Sequence, residues 1–228
     1  MSVFLSETEA RAEICRVGQS LFARGYVHAT AGNISVSLPD GGYVMTPTDA
    51  CLGQLDPDRL ARIDAQGQQI SGDRASKAII LHRRIYEASA ATPSPARCII
   101  HTHSTHLVAC SLLADPTQDE LLSPITPYFV MKAGRVPHIA YHRPGALQAA
   151  EAVAQVITRY AAAQQPIRAV MLARLGPNVW HDTPAAAMAT LEELEETARL
   201  HLLCRQTSVR PLGDAQIDEL RRTFGAVW

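Results

Sequence analysis

His101 and His103 stand two residues apart at the end of the apolar run Cys98-Ile99-Ile100. Along an extended strand alternate residues share a face, so both imidazoles point at one spot, as two ligands of one divalent metal must. Such a metal acts as a Lewis acid: it chelates a substrate carbonyl and a neighbouring hydroxyl, and it holds the enediolate left when a C–C bond beside the carbonyl breaks. Two ligands do not make a site. A third donor and a base have to come from elsewhere in the chain.

At 228 residues, 47% hydrophobic and 19% charged, the chain has the size and composition of one globular domain, spanning 1–228, with a full core. A formal net charge of -1 without any basic run argues against nucleic acid or an anionic membrane as partner. No apolar stretch approaches the roughly 20 residues that span a bilayer, and Glu7 and Glu9 stand where a secretory leader would be basic. Five cysteines, an odd number with no C-x-x-C pair, point to reduced thiols. The expectation is a cytoplasmic protein whose partner is a small molecule.

The elements that must position the histidines follow from pattern and punctuation. Ser6-Glu7-Thr8-Glu9 has capping-box spacing and opens a helix that runs to Gly25 with Ile14, Val17 and Leu21 on one face. Ile34 to Leu38 and Tyr43 to Thr46 flank the turn cluster Pro39-Asp40-Gly41-Gly42 and read as a hairpin, and Ile63 to Ile70, broken by Gly67, reads as a second. Ser76 caps a helix to about Tyr86, and Ser104 caps another to Leu113. Asp115 to Glu120 is a polar loop, Val136 to Tyr141 a strand, Gly145 to Ala163 a helix, Ala169 to Ala173 a strand, and Pro184 to Arg205 a long helix with proline in its first turn. Asp214 opens a last short helix. Alternating elements of both types around one sheet make an α/β layer structure.

Around the histidine pair, Ala31-Gly32-Asn33-Ile34-Ser35, Thr46-Pro47-Thr48, Ser71-Gly72-Asp73, Ser76, Thr126-Pro127-Tyr128-Phe129, Arg143-Pro144-Gly145 and Glu192 to Thr197 follow in an order that resembles the class II aldolase/adducin family over nearly the whole chain. The resemblance implies a three-layer αβα domain with a central, mostly antiparallel sheet. It implies a metal-dependent sugar-phosphate lyase, of the aldolase type or of the type that decarboxylates 3-oxo-tetronate 4-phosphates. It implies a divalent metal, zinc, on His101 and His103, and phosphate held among Gly32, Asn33, Thr46, Thr48 and Ser76, with Lys77 beside them. Tyr128 matches a position that reaches a neighbouring subunit's site as proton donor, which implies a homo-oligomer, a tetramer by resemblance.

Two positions depart from the family's pattern. Leu175 stands where a third metal histidine is expected, and Ala78 where the aldolases carry a glutamate; neither side chain can coordinate a metal or move a proton. His106, ahead of His142 and His181, is the substitute ligand by analogy with three-histidine sites, Lys77 a substitute base, and Arg174 a guanidinium for the carboxylate or enolate oxygens in place of a metal. Two other readings stay open: a lapsed member that binds a phosphorylated metabolite or a sister subunit, and an epimerase in which the enediolate is reprotonated on its other face. The acidic run Glu192 to Glu196 reads as a solvated helix face, and His28, His82, His138 and His201 as surface or packing residues.

Overall fold

The computed structural model describes residues 4–115 and 117–228; Pro116, within the expected polar loop, lies outside them. Eight strands form one sheet: β1 (Asn33–Ser37), β2 (Tyr43–Met45), β3 (Ala61–Ile63), β4 (Gln69–Ser71), β5 (Cys98–His101), β6 (His138–Ile139), β7 (Ala169–Leu172) and β8 (Gly176–His181). Their order across the sheet is β4-β3-β2-β1-β5-β8-β7-β6, and every pairing is antiparallel except β6 with β7. The helices are α1 (Glu7–Ala23), α2 (Ile79–Ser89), α3 (Thr105–Leu113), α4 (Leu147–Ala162), α5 (Pro184–Leu203) and α6 (Asp214–Phe224).

Strand alternation divides the core in two. On one face Ile34, Val36, Ile100, Met171 and Val179 pack under α1, α3, α5 and α6 through Ile14, Leu21, Leu107, Leu191, Leu194 and Ile217. On the other, Ile99, Val170 and Trp180 pack under α2 and α4 through Ile85, Tyr86, Val153 and Ile157. The result is the three-layer αβα arrangement, with β5 and β8 at its centre. Among the described residues no helix is long and apolar enough to cross a membrane.

The N-terminal capping box forms as its spacing predicts, with the Ser6 N–H donating to the Glu9 carboxylate at 2.8 Å. Other elements differ in extent. The second hairpin is two three-residue strands around the Asp64–Gly67 turn. The expected strand from Val136 shrinks to two residues, because Pro137 has no N–H to give the ladder and only its carbonyl serves, accepting from Met171. A single π-turn, Phe129–Ala133, and all of β8 have no counterpart in the sequence reading.

Candidate functional site

Register carries three polar side chains onto one face of the sheet's centre. His101 on β5 is opposite Asn33 on β1 and opposite Asn178 on β8, so a row Asn33–His101–Asn178 crosses three adjacent strands under the N-terminal ends of α2 and α4. The Thr102 N–H reaches the Pro177 carbonyl, which makes His101 and Asn178 a non-hydrogen-bonded pair, the kind whose side chains lie closest. Two glycines permit this approach. Gly32 has φ +87, and a Cβ there would lie 2.9 Å from the His101 carbonyl oxygen; at Gly176 (φ +139) it would lie 1.9 Å from that of Thr102.

The His101 ring is fixed from behind. Its Nδ1–H donates to the Pro177 carbonyl at 2.8 Å, which leaves the Nε2 lone pair for the cleft. The His103 ring is 5.1 Å from it, centroid to centroid. Burial, and then the neighbouring imidazole of His103, push His101 down to about 4, so its ring is neutral at pH 7. His103 is lowered as well, by burial first and by His28, whose exposed ring lies 6.5 Å away.

Over this row opens a cleft of about 360 Å³. Gly32, Asn33, Thr48, Ser76 and Lys77 form one side, Arg143 and the start of α4 the other, and Leu172, Leu175, Ile80 and Ala78 its apolar wall. Backbone pairing ties the first side together: the Ser76 N–H donates to the Thr46 carbonyl and the Thr48 N–H to that of Arg74. The Ser76 hydroxyl accepts from the Ala78 N–H at 3.3 Å and turns the chain into α2, which therefore starts at Ile79 rather than at Ser76. Lys77 and Arg143 face a single carboxylate, Asp49, among the cleft residues, so the cleft favours an anion.

Four expected site residues lie elsewhere. Thr46 is buried and structural, its hydroxyl accepting from the Ile34 N–H at 3.1 Å. His106 does not join the imidazole pair: its Nδ1 and backbone N–H both bond the Glu195 carboxylate, at 2.8 and 2.9 Å. Arg174 occupies the left-handed position (φ 66) of the β7–β8 hairpin, its backbone N–H donates to Ser111 of α3, and its exposed side chain is not part of the cleft. Tyr128 is 61% exposed and outside the cleft of its own chain.

The donor set does not fit a resident metal. The pair His101 and His103 has the spacing of two imidazoles on one ion, but no group of three or more His, Cys, Asp or Glu among the described residues is placed to hold one. Leu175 and Ala78 offer only carbon to the cleft. The residues present fall short of the three protein ligands a zinc site uses.

Two polar residues escaped the sequence reading, Asn178 and Glu195, while His82 proves to be the packing residue that was one of its two expected roles. Asn178 lines the cleft fully buried, with neither carboxamide atom partnered; Asn33 Oδ1 is also unpartnered. Glu195, placed on a solvated face by its acidic neighbours, is buried and accepts from the backbone N–H groups of His106 and Leu107, capping α3 directly after the histidine pair. His82 is fully buried, its Nδ1 2.7 Å from the Ser35 hydroxyl, which in turn meets the Tyr86 hydroxyl. No periodic signal distinguishes such residues from packing; a lone polar residue within an apolar run is the one available cue.

The family model described as the class II aldolase and adducin N-terminal domain matches residues 12–202. A 3-oxo-tetronate 4-phosphate decarboxylase of Cupriavidus necator is 46% identical over 98% of this chain and 99% of its own length. One of Escherichia coli K12 is 39% identical over 94% and 96%. The crystal structure of YgbL from Escherichia coli superposes with a TM-score of 0.84 at 38% identity, covering 94% of this chain and 99% of that one. An L-fuculose 1-phosphate aldolase with 20% identity shares the fold at a TM-score of 0.80 over 97% and 98%.

Proposed function

The chain belongs to the class II aldolase and adducin family, and from that premise we propose that it is a lyase that decarboxylates a 3-oxo-tetronate 4-phosphate. The observation that carries this reading is a cation-rimmed cleft with an imidazole pair, in which Asp49 is the one carboxylate among the described lining residues. Breaking the C–C bond of an aldol, or epimerising a carbon beside a carbonyl, needs a base to take a proton. Loss of carbon dioxide from a 3-oxo acid does not. The C1–C2 bond breaks, its electron pair forms C2=C3, the carbonyl π pair moves onto the C3 oxygen, and protonation at C2 gives a three-carbon ketose phosphate. Ala78 removes the carboxylate expected of the aldolases without removing any group that loss of carbon dioxide requires.

In this reading the Gly32–Asn33 backbone, Thr48, Ser76, Lys77 and Arg143 hold the two anionic ends of the substrate, and the neutral imidazoles of His101 and His103 accept from its hydroxyl. Tyr128 delivers the C2 proton from a second copy of the chain, since it is exposed and outside its own cleft. Mixing a Tyr128→Phe variant with a Lys77→Met variant should then give more activity than the sum of the two measured separately.

The test is turnover of 3-oxo-tetronate 4-phosphate, followed by carbon dioxide release and ketose phosphate formation in equal amounts. A second reading, a lapsed member that binds a phosphorylated metabolite without turning it over, is favoured by Leu175 and Ala78 together. Protein that binds the phosphate ester and releases no carbon dioxide, yet gains both tight zinc and lyase activity as the Ala78→Glu, Leu175→His double variant, would establish that second reading.

A further inference from the structure

Asn178 poses a problem of polar accounting. It stands within β8, a strand with neighbours on both sides and helices over its face, where a carboxamide has to be paired and an apolar side chain does not. Both Oδ1 and Nδ2 are buried without a partner, beside His101, in the wall of the cleft. Each unpaired buried group costs stability, because it has given up its hydrogen bonds to water and gained none. A binding site sustains such a cost because the bound molecule repays it.

The chemistry of the amide says which molecule. A carboxamide presents a donor and an acceptor side by side; an enediolate presents an oxyanion and a hydroxyl side by side. We propose that Asn178 is a catalytic residue of this cleft, its Nδ2 donating to the C3 oxygen on which charge develops and its Oδ1 accepting from the C2 hydroxyl. The inference rests on the decarboxylase reading, and it answers the shortfall of metal ligands with a fixed dipole. Leu172 and Leu175 border the same cleft, and the buried amide, fixed within β8, is a preorganised dipole that does not have to reorganise during the reaction. His101, clamped by Pro177, holds the neighbouring oxygen from the other side.

The experiment compares two phosphate esters on the protein as purified, with and without EDTA, by calorimetric titration. Phosphoglycolate carries a carboxylate where the enediolate carries its oxygens; glycerol 3-phosphate carries the phosphate alone. Asn178→Asp replaces the donor by a carboxylate of the same shape. It is expected to weaken phosphoglycolate about tenfold or more, a loss of about 1.4 kcal/mol, while glycerol 3-phosphate stays within about twofold, and EDTA changes neither. Because both ligands are measured on one sample, partial misfolding lowers the two together and cannot mimic the selective loss; Asn178→Leu, neutral, should show the same selectivity. Equal losses for the two ligands, no loss, or phosphoglycolate binding that EDTA abolishes and zinc restores would overturn the role of Asn178. Wild-type protein that binds neither ester would overturn the phosphate-cleft reading itself.

Discussion

His82 should make the fold sensitive to mild acid, by an amount its surroundings fix. Burial, and then the charge that His101 would carry, push His82 down to about 3 from an ordinary value of 6.5. A lowered imidazole binds fewer protons folded than unfolded, so its stabilising contribution is complete above about pH 6.5 and is lost as pH falls from there towards about 3. At about 1.4 kcal/mol per pH unit inside that window, the two units from pH 7 to pH 5 remove about 2 kcal/mol for His82 alone. His101, held near 4, adds a loss of about the same size. Asparagine at position 82 can keep a hydrogen bond to Ser35 and cannot titrate. Urea unfolding followed by far-UV circular dichroism at pH 7 and pH 5, at one protein concentration, gives the comparison. The wild-type loss should exceed that of His82→Asn by about 2 kcal/mol, whatever the variant's stability at pH 7. Equal losses in the two proteins would refute a neutral, buried His82.

Other consequences are direct. Gly32→Ala forces a side chain to φ +87 and a Cβ against the His101 carbonyl, and should weaken phosphate-ester binding at least about tenfold in titration calorimetry. Lys77→Met, at an exposed rim position, should weaken phosphoglycolate about tenfold and flatten the salt dependence of its binding, with the melting temperature unchanged. Glu195→Gln loses one acceptor oxygen from the α3 cap and should lower unfolding stability by about 1–3 kcal/mol in urea titration.

Much of this architecture is legible in the chain because burial is periodic. The helices around Ile14, Val153 and Leu194 and the strands around Ile34 and Ile99 bury one face each, and the pattern shows it. The histidine pair was legible from its spacing, although β5 ends at His101 and His103 follows it in the segment leading to α3, with the two rings still 5.1 Å apart. What was hidden depends on register and backbone direction. β8 opens with Gly176 and Pro177, residues that ordinarily end strands, yet Gly176 is there because no Cβ fits under Thr102, and Pro177 because its carbonyl, not an N–H, is what His101 needs. Without β8 the row had two members, and Asn178 gave no signal. Arg174 looked poised for the cleft, but the left-handed turn ties its backbone to α3 and leaves it outside the cleft. Glu195 was concealed by its neighbours, since a run of acids on a helix normally faces water and one residue's phase within it decides which carboxylate turns inward.

A crystal structure of the protein with phosphoglycolate bound tests the account most directly. The phosphate should lie against the Gly32–Asn33 backbone, Thr48 and Ser76, with the carboxylate across the sheet between His101 and the Asn178 amide. A ligand seated with its carboxylate on a metal ion, or with its phosphate at any other cleft, would contradict it.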